Sequence, residues 1–333
     1  METFMPPRHH GYMREWFPKL LILGCIAWSS LAGAQKTLPS PAQVAQAEAQ
    51  AQAYRARNGV DPQLLQFMSE IARTKLELGQ VTAAQDYARQ TEQLCRQQLT
   101  HRAMDAEPRL PLALGAAIEV QGQALAQNGN RSAALALLRQ ALRKYGTTSL
   151  QARLQKNLNL LTLEGRPAPP LVETQYIGPK PPSLSALRGR PVLLFFWAHW
   201  CADCKHEEPV ISRLVNEYGR KGLVLLGPTQ RYGYAAYGEP ASPPAELQYI
   251  DSVRRQYYAD LSAMPVPVSK LNFDRYGAST TPTLVLIDRR GDVAMYHPGV
   301  LSYDELRAEI EKVIAPSAAM HREELHRGTK TSR

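Results

Sequence analysis

The stretch FFWAHWCADCKHEEP, residues 195–209, runs from apolar residues into two cysteines that are three positions apart. The apolar run begins at Val192 and has the length and composition of a buried strand. The residues after Cys204 fit a helix. Cys201 therefore falls where a buried strand ends and a helix begins. Its sulfur should face the unpaired N–H groups and the positive dipole end of that helix.

This position favours the thiolate form of Cys201, and we expect its pKa to lie below the usual value of about 8.5. Cys201 is predicted to be the attacking thiol. Cys204 lies one helical turn later on the same side, where it can resolve a mixed disulfide. Ala202 and Asp203 separate the two cysteines. The charge of Asp203 disfavours the thiolate and favours a more reducing pair, whereas the helix dipole acts in the opposite direction.

The chain of 333 residues is long enough for two ordinary domains, and 44% apolar residues indicate a globular protein. The formal net charge of +9 raises the question of nucleic-acid binding. However, the basic residues are spread along the chain, and no predicted helix has a basic face with interleaved aromatic residues. The charge pattern therefore indicates a solvated basic surface, with no nucleic acid as partner.

The N-terminus has the features of a secretory signal. Arg14 and Lys19 precede an apolar run over residues 20–31, and the small residues Ala32, Gly33 and Ala34 follow. The run is shorter than the 18 or so apolar residues of a spanning helix, which favours a cleaved signal over residues 1–34. An uncleaved segment that anchors the protein to the membrane is the alternative. In either case an extracytoplasmic location is predicted, in the bacterial periplasm.

Three cysteines remain after such cleavage, a close pair and the single Cys95. A disulfide-stapled scaffold would use more bridges, so the pair indicates redox chemistry or a metal. His199 and His206 flank the pair, but His206 lies two positions from Cys204 and points to the other side of a helix, which argues against zinc. No metal and no cofactor other than the cysteine pair are expected. Cys95 is predicted to be a buried helix residue.

Residues 35–165 are predicted to be helical, because apolar residues recur at helical spacing with few β-branched runs. Six helices are expected, near residues 41–57, 62–78, 82–98, 111–127, 131–144 and 149–163. Residues 78–90 and 128–140 share the same offsets of glycine and alanine. This spacing resembles the turn and second helix of tetratricopeptide-type repeats, although those repeat at 34 residues and not at 50. The helices either hold a partner protein or only pack on a neighbouring layer.

Residues 166–183 contain six prolines and are predicted to be a linker with few internal hydrogen bonds, leading into the next domain. Residues 184–316 then alternate strand and helix, which predicts a central sheet with helices on it. Strands are expected at residues 192–196, 222–226, 283–287 and 293–296, and the last helix at residues 303–314. Residues 317–333 are predicted to be a mobile basic tail.

The segments LSALRGRPVLLFFWAHWCADCKHEEP and STTPTLVLID together resemble the thioredoxin superfamily and, more narrowly, the TlpA/ResA-type thiol-disulfide oxidoreductases. This resemblance implies an α/β thioredoxin-like fold with a central mixed sheet, here preceded by an all-α helical-hairpin domain. It also implies a cis peptide bond between Thr281 and Pro282, opposite the cysteines, where Thr281 offers its backbone to a substrate peptide. Trp200 would cover one flank of the site, or act only as a packing aromatic.

The same resemblance assigns proton handling to Glu207. Thioredoxin carries a buried aspartate six residues before its first cysteine, and this chain has Phe195 there. A glutamate at the offset of Glu207 tunes the cysteines of ResA-like proteins. Glu208 is expected to be a plain surface charge.

The predicted function is an extracytoplasmic thiol-disulfide oxidoreductase that reduces disulfides of exported proteins, with cytochrome c maturation as one candidate process. Its implied partners are a disulfide-containing exported protein and a membrane electron donor that re-reduces the pair. An oxidase or isomerase that uses the same cysteines is an alternative. So is an adaptor whose helical repeats bind a partner. Residues 230–244, rich in tyrosine and small residues, resemble no known motif but suggest a substrate-contacting loop.

Overall fold

Residues 38–314 are described by a computed structural model, and within them six helices precede a mixed α/β domain. The first helices are α1 (Pro41–Asn58), α2 (Pro62–Glu77), α3 (Val81–Gln98), α4 (Arg109–Gln127), α5 (Arg131–Tyr145) and α6 (Gln151–Thr162). All six predicted helices are confirmed, and each end lies within two residues of its predicted position. The predicted signal over residues 1–34 and the tail over residues 317–333 lie outside the described residues.

Local sequence signals set the helix starts. The Ser40 hydroxyl accepts a hydrogen bond from the Gln43 backbone N–H, and the Gln43 side chain accepts one from the Ser40 backbone, which forms a capping box at α1. The Asp61 carboxylate caps α2 by a single hydrogen bond, which it accepts from the Leu64 backbone N–H. Capping satisfies N–H groups that have no partner within the helix.

The two similar segments form similar helical turns. Gly79 and Gly129 each follow a helix with positive φ, +74° and +77°, as the predicted tight turns require. Ala84 and Ala134 lie at equivalent positions of the next helices and are fully buried. The assignment of these hairpins to the tetratricopeptide type remains a prediction.

The second domain is built around a four-stranded sheet. Its strands are β2 (Val192–Phe196), β3 (Val224–Leu226), β5 (Thr283–Ile287) and β6 (Val293–Pro298), while β1 (Tyr176–Ile177) and β4 (Val266–Pro267) form a separate small pair. The order is β3-β2-β5-β6, with β2 parallel to β3 and antiparallel to β5. The four predicted strands and the predicted mixed sheet are confirmed.

Helices cover both faces of this sheet. They are α7 (Ala202–Tyr218), α8 (Pro243–Tyr257), α9 (Lys270–Tyr276) and α10 (Tyr303–Ile314). Because side chains alternate along a strand, Phe195 enters the core beside Cys204, whereas Phe196 packs on Phe273 and Tyr276 on the other face. Burial of each phenylalanine contributes about 2–3 kcal/mol. The sequence prediction included neither α8 nor α9.

The proline-rich segment lies against the second domain. Its hydrogen bonds run to other elements: Tyr276 Oη donates to the Pro169 carbonyl at 2.6 Å, and Arg275 donates to the Pro170 carbonyl at 2.8 Å. Leu171 is buried in the same core as Phe196. Proline has no N–H but keeps a carbonyl acceptor, so a segment with few internal hydrogen bonds can still be held firmly by its neighbours.

The helical domain also contacts the second domain directly. The Asn159 side chain donates to the Arg275 carbonyl at 3.3 Å, and Glu164 accepts from the backbone N–H of Tyr296 at 3.0 Å. Gly277, which follows α9, lies so near the α6 backbone that a Cβ atom there would be 2.2 Å from Lys156 N. Between residues 38 and 314 no helix combines the length and the hydropathy of a membrane span.

Candidate active site

The junction between β2 and α7 presents the two cysteines. Cys201 is the N-cap residue of α7, and the Cys204 backbone N–H donates to Cys201 Sγ at 3.0 Å. This confirms the predicted position of Cys201 at a helix start, where N–H groups and the helix dipole favour negative charge on sulfur. Cys204 lies one turn later in the buried core. The two residues are therefore placed for the attacking and resolving roles that the sequence predicts.

The cysteines form a disulfide in the structure, with Cα atoms 5.3 Å apart. Cys201 is 3% exposed and Cys204 has no exposed surface. An incoming thiol or disulfide can therefore reach only the Cys201 sulfur. This asymmetry agrees with Cys201 as the attacking thiol.

The loop before β5 faces the disulfide. The peptide bond between Thr281 and Pro282 is cis, as predicted, and the Thr281 carbonyl oxygen lies 3.4 Å from Cys201 Sγ. The Thr281 hydroxyl oxygen is buried and has no hydrogen-bond partner among residues 38–314. Thr281 thus lies beside the reactive sulfur, although contact with a substrate remains a prediction.

The remaining predicted site residues surround the pair on the solvent side. Ala202 and Asp203 are exposed in the first turn of α7. Trp200 is 50% exposed, and its ring contacts Tyr232 at a centroid distance of 5.5 Å. A half-exposed indole next to the disulfide can pack on Tyr232 with one part of its ring system and keep the rest open to solvent.

Glu207 lies beneath the site, where it is only 3% exposed. Its Oε1 accepts a hydrogen bond from the Leu301 backbone N–H at 3.2 Å. Burial raises the pKa of Glu207 to about 7, the Leu301 hydrogen bond opposes this, and the charge of Asp203 adds to the rise. Glu207 can therefore gain or lose a proton near neutral pH, as a proton-handling residue must.

We expect Glu207 to make the oxidised protein less stable as the pH rises. Between pH 4.5 and about 7 the native carboxyl keeps a proton that the unfolded chain has released, so the free energy of unfolding falls across this window. The Glu207→Gln variant keeps an acceptor for Leu301 but does not titrate. The free energy of unfolding of this variant minus that of the wild type should therefore rise by up to about 3 kcal/mol between pH 4.5 and pH 8.

Denaturant unfolding of both oxidised proteins at several pH values measures this difference. Glu70→Gln is the matched control, because Glu70 is an exposed carboxylate of α2, outside the mixed α/β domain. A constant difference between Glu207→Gln and the wild type across this pH range would contradict the expectation.

The prediction of a surface charge at Glu208 is wrong. Glu208 is 8% exposed, and its Oε1 has no hydrogen-bond partner within the described part of the chain. Burial, assisted by the charge of Asp260, raises its pKa. Nearby, Tyr258 has a buried hydroxyl that is likewise without a partner. Glu208 is buried because α7 packs on the turn at Ala259–Leu261, a contact that helical periodicity alone does not reveal.

Phe195 confirms that β2 brings no carboxylate to the cysteines. The ring is fully buried and packs edge-on against Tyr258, with centroids 5.9 Å apart. An aromatic core thus occupies the end of β2 beneath the cysteines.

The sequence analysis missed a buried pair next to the site. His199 and Glu246 are each 1% exposed, with His199 Nε2 3.6 Å from Glu246 Oε1, too long for a hydrogen bond. Burial lowers the pKa of His199, and the nearby Glu246 opposes this. His206, by contrast, is exposed on α7. The two partners are 47 positions apart along the chain, so no local pattern indicates the contact.

Cys95 lies far from this chemistry in the core of the helical domain. It is a buried residue of α3, as predicted, and burial raises its pKa to about 12. It therefore remains a protonated, unreactive thiol at neutral pH.

Comparison with known proteins identifies the second domain. Residues 183–314 match the family model of the thioredoxin-like domain. The thiol:disulfide interchange protein DsbE of Xylella fastidiosa is 30% identical over 129 residues, which are 39% of this chain and 57% of that protein. The thiol-disulfide oxidoreductase ResA of Geobacillus thermodenitrificans is 25% identical over 134 residues, 39% of this chain and 67% of that protein.

Among solved structures, a putative DsbE of Chlorobium tepidum is 23% identical, with a TM-score of 0.35, and the match covers 46% of this chain and 98% of that chain. The match to the Xylella protein covers 57% of that relative, so this chain spans less than two thirds of its length. Residues 183–314 form a thioredoxin-like domain, and the resemblance to ResA-type proteins that the sequence indicated is confirmed.

Proposed function

We propose that this protein is a thiol-disulfide oxidoreductase that reduces disulfides of exported proteins through Cys201 and Cys204. The observation that supports this most directly is the disulfide at the start of α7, with the Cys201 sulfur 3.4 Å from the Thr281 carbonyl. A helix N-terminus stabilises the thiolate of the attacking cysteine, and the backbone of the cis-proline loop beside it could pair with an extended peptide.

The reaction begins with the reduced protein. The Cys201 thiolate attacks one sulfur of the substrate disulfide, forms a mixed disulfide and releases the other substrate sulfur as a thiolate. Cys204 then loses its proton and attacks Cys201 Sγ, which forms the protein disulfide and releases the second substrate thiolate. In total two electrons and the proton of Cys204 leave the protein, and the other substrate thiolate takes up a proton from water according to the pH.

Glu207 is proposed to take up and return the proton of Cys204. It is buried, lies one helical turn after Cys204, and has a pKa of about 7. The Glu207→Gln variant tests this role as well. Unchanged cysteine pKa values and unchanged exchange rates would show that protons leave by another route.

The proposed location is outside the cytoplasm, on the strength of the predicted signal over residues 1–34. There the protein would need an external source of electrons, and we propose a membrane electron donor that reduces the Cys201–Cys204 disulfide after each turnover. No further cofactor is proposed, since the cysteine pair itself carries the two electrons.

We expect the reduced wild-type protein to convert oxidised glutathione to two thiols, with one protein disulfide formed for each glutathione disulfide consumed. Mixing experiments with thiol counting and mass spectrometry measure this stoichiometry. The reduction potential of the Cys201–Cys204 pair then decides whether the protein reduces or oxidises its substrates. A value near about −270 mV, that of thioredoxin, supports a reductant, and a value near about −120 mV would identify an oxidant instead.

A further inference from the structure

A histidine next to the redox pair is buried with one ring nitrogen unsatisfied. His199 lies between the end of β2 and Cys201, and it is 1% exposed. Its Nε2 atom is buried and has no hydrogen-bond partner among residues 38–314. A buried polar atom of this kind is costly for stability, which points to a role in function.

The carboxylate of Glu246 faces this nitrogen. Its Oε1 atom lies 3.6 Å from His199 Nε2. The backbone N–H groups of Tyr232 and Gly233 hold the carboxylate in place by donating to its two oxygens, the second at 3.0 Å. A shift of about 0.7 Å would bring the imidazole nitrogen to the usual hydrogen-bond distance of about 2.9 Å. The pair is thus arranged to form a charge-assisted hydrogen bond once His199 carries a proton.

The remaining neighbours of the His199 ring are aromatic or basic. The ring packs edge-on against three tyrosines at centroid distances of 5.5, 5.2 and 5.3 Å, namely Tyr232 and Tyr234 of the loop after β3 and Tyr249 of α8. Lys205 of α7 opposes protonation of His199 through its positive charge. Glu246 therefore supplies the negative charge at this ring, against Lys205 and the low polarity of the tyrosine rings.

The balance at this ring depends on the redox state of the cysteines. Burial lowers the pKa of His199, and the charge of Glu246 only partly opposes this, so the ring is neutral at neutral pH beside the uncharged disulfide. After reduction, Cys201 at the start of α7 becomes a thiolate. His199 and Cys201 are two positions apart, so their Cα atoms lie within about 7 Å. A second negative charge then acts on the imidazole.

We propose that His199 takes up a proton when the active-site disulfide is reduced, and that Glu246 is the positioning residue that holds the imidazole for it. This inference rests on the proposed role of Cys201 as the attacking thiolate. A dithiol donor supplies two electrons and two protons. The S–S bond breaks, one proton goes to Cys204 and the other to His199, and Cys201 keeps its negative charge. When that thiolate enters a mixed disulfide with a substrate, its charge is lost and His199 releases the proton to solvent.

NMR titration of the histidine rings tests this in the wild-type protein. The His199 signals are assigned through their contacts with the three tyrosine rings and are titrated in the oxidised protein and in the protein reduced by dithiothreitol. The proton affinity of His199 should be about tenfold higher in the reduced protein, because a new charge lies within about 7 Å in surroundings less polar than water. His206 is the internal control. It is exposed on α7, where water and salt screen the charge, so its proton affinity should change much less.

Variants carry the test to the thiolate itself. His199→Phe keeps an aromatic ring among the tyrosines but cannot bind a proton. Since coupling between two binding sites is reciprocal, the proton affinity of Cys201 should rise in this variant by up to about tenfold, as measured by the ultraviolet absorbance of the thiolate. His206→Phe is the matched control and should leave the thiolate titration unchanged. Glu246→Gln removes the facing charge and should lower the proton affinity of His199 in both redox states.

The outcomes separate this inference from the proposed function. If His199 titrates identically in the two redox states, or if its proton affinity changes no more than that of His206, the inference is wrong. This wild-type comparison holds whether or not the variants fold. An unchanged thiolate titration in a folded His199→Phe protein would also overturn it. If the reduced wild type does not consume oxidised glutathione, the proposed function fails, while the two His199 titrations still decide the inference because they need no substrate.

Discussion

Replacing Cys201 by serine should lower the rate of disulfide exchange by about 10³-fold or more, to the background of the assay. A serine hydroxyl is not ionised at neutral pH and cannot form a disulfide, whereas the Cys201 thiolate is stabilised at the start of α7. The measurement is the reduction of oxidised glutathione by the pre-reduced protein. A variant that kept even a tenth of the wild-type rate would contradict the assignment of Cys201 as the attacking thiol.

The companion variant Cys204→Ser separates attack from resolution. Cys201 should still attack, but the mixed disulfide should accumulate because no second thiol resolves it. Intact-protein mass spectrometry would then show one substrate molecule bound to each protein chain. The matched control is Cys95→Ala, which removes the buried thiol of α3 and should leave both reactions unchanged.

These variants also separate the enzyme from the adaptor. An adaptor whose helical repeats bind a partner would keep that partner in Cys201→Ser, and the loss of exchange would not affect its main role. Cys204→Ser can trap a partner protein as a mixed disulfide. A binding assay of that partner with Cys201→Ser then shows whether recognition depends on the cysteines.

Replacing Gly277 by alanine should destabilise the protein by about 3 kcal/mol. A Cβ atom at this position would lie 2.2 Å from Lys156 N and 2.5 Å from Lys156 Cα, both backbone atoms of α6. Backbone atoms cannot rotate out of the way as a side chain can, so the two domains must separate locally. The φ of +63° adds a cost for any residue with a Cβ atom.

The matched control for this substitution is Gly79→Ala. Gly79 has φ = +74°, but a Cβ atom there would meet nothing within 4 Å. Gly79→Ala should therefore lower the free energy of unfolding by only about 1 kcal/mol, because alanine is strained at a positive φ. Thermal and denaturant unfolding of both variants measure the difference, and equal losses would show that the contact between α6 and Gly277 is not tightly packed.

Gly277 also matters for the active site, because the loop that starts there leads to Thr281. If α6 is pushed away, the position of the Thr281 carbonyl beside Cys201 Sγ should shift. The helical domain thus contributes to the placement of the cis-proline loop through its contact with Gly277.

Much of the local structure could be predicted from the sequence. The strand at 192–196, the start of α7 at the cysteines and all six N-terminal helices follow from periodicity, capping residues and spacing. The same holds for the placement of Cys201 and Cys204 at a helix start, since it depends on residues within one turn of each other.

The tertiary structure decided what depends on distant parts of the chain. Glu208 has the sequence pattern of a surface charge, yet α7 packs it beside Tyr258. Glu246 meets His199 only because α8 folds back onto the end of β2, and Gly277 is constrained by the backbone of α6. The spacing of apolar residues along a helix or strand predicts only which residues within a few positions of each other share a face. Burial and proton affinity depend instead on which surfaces the completed fold brings together.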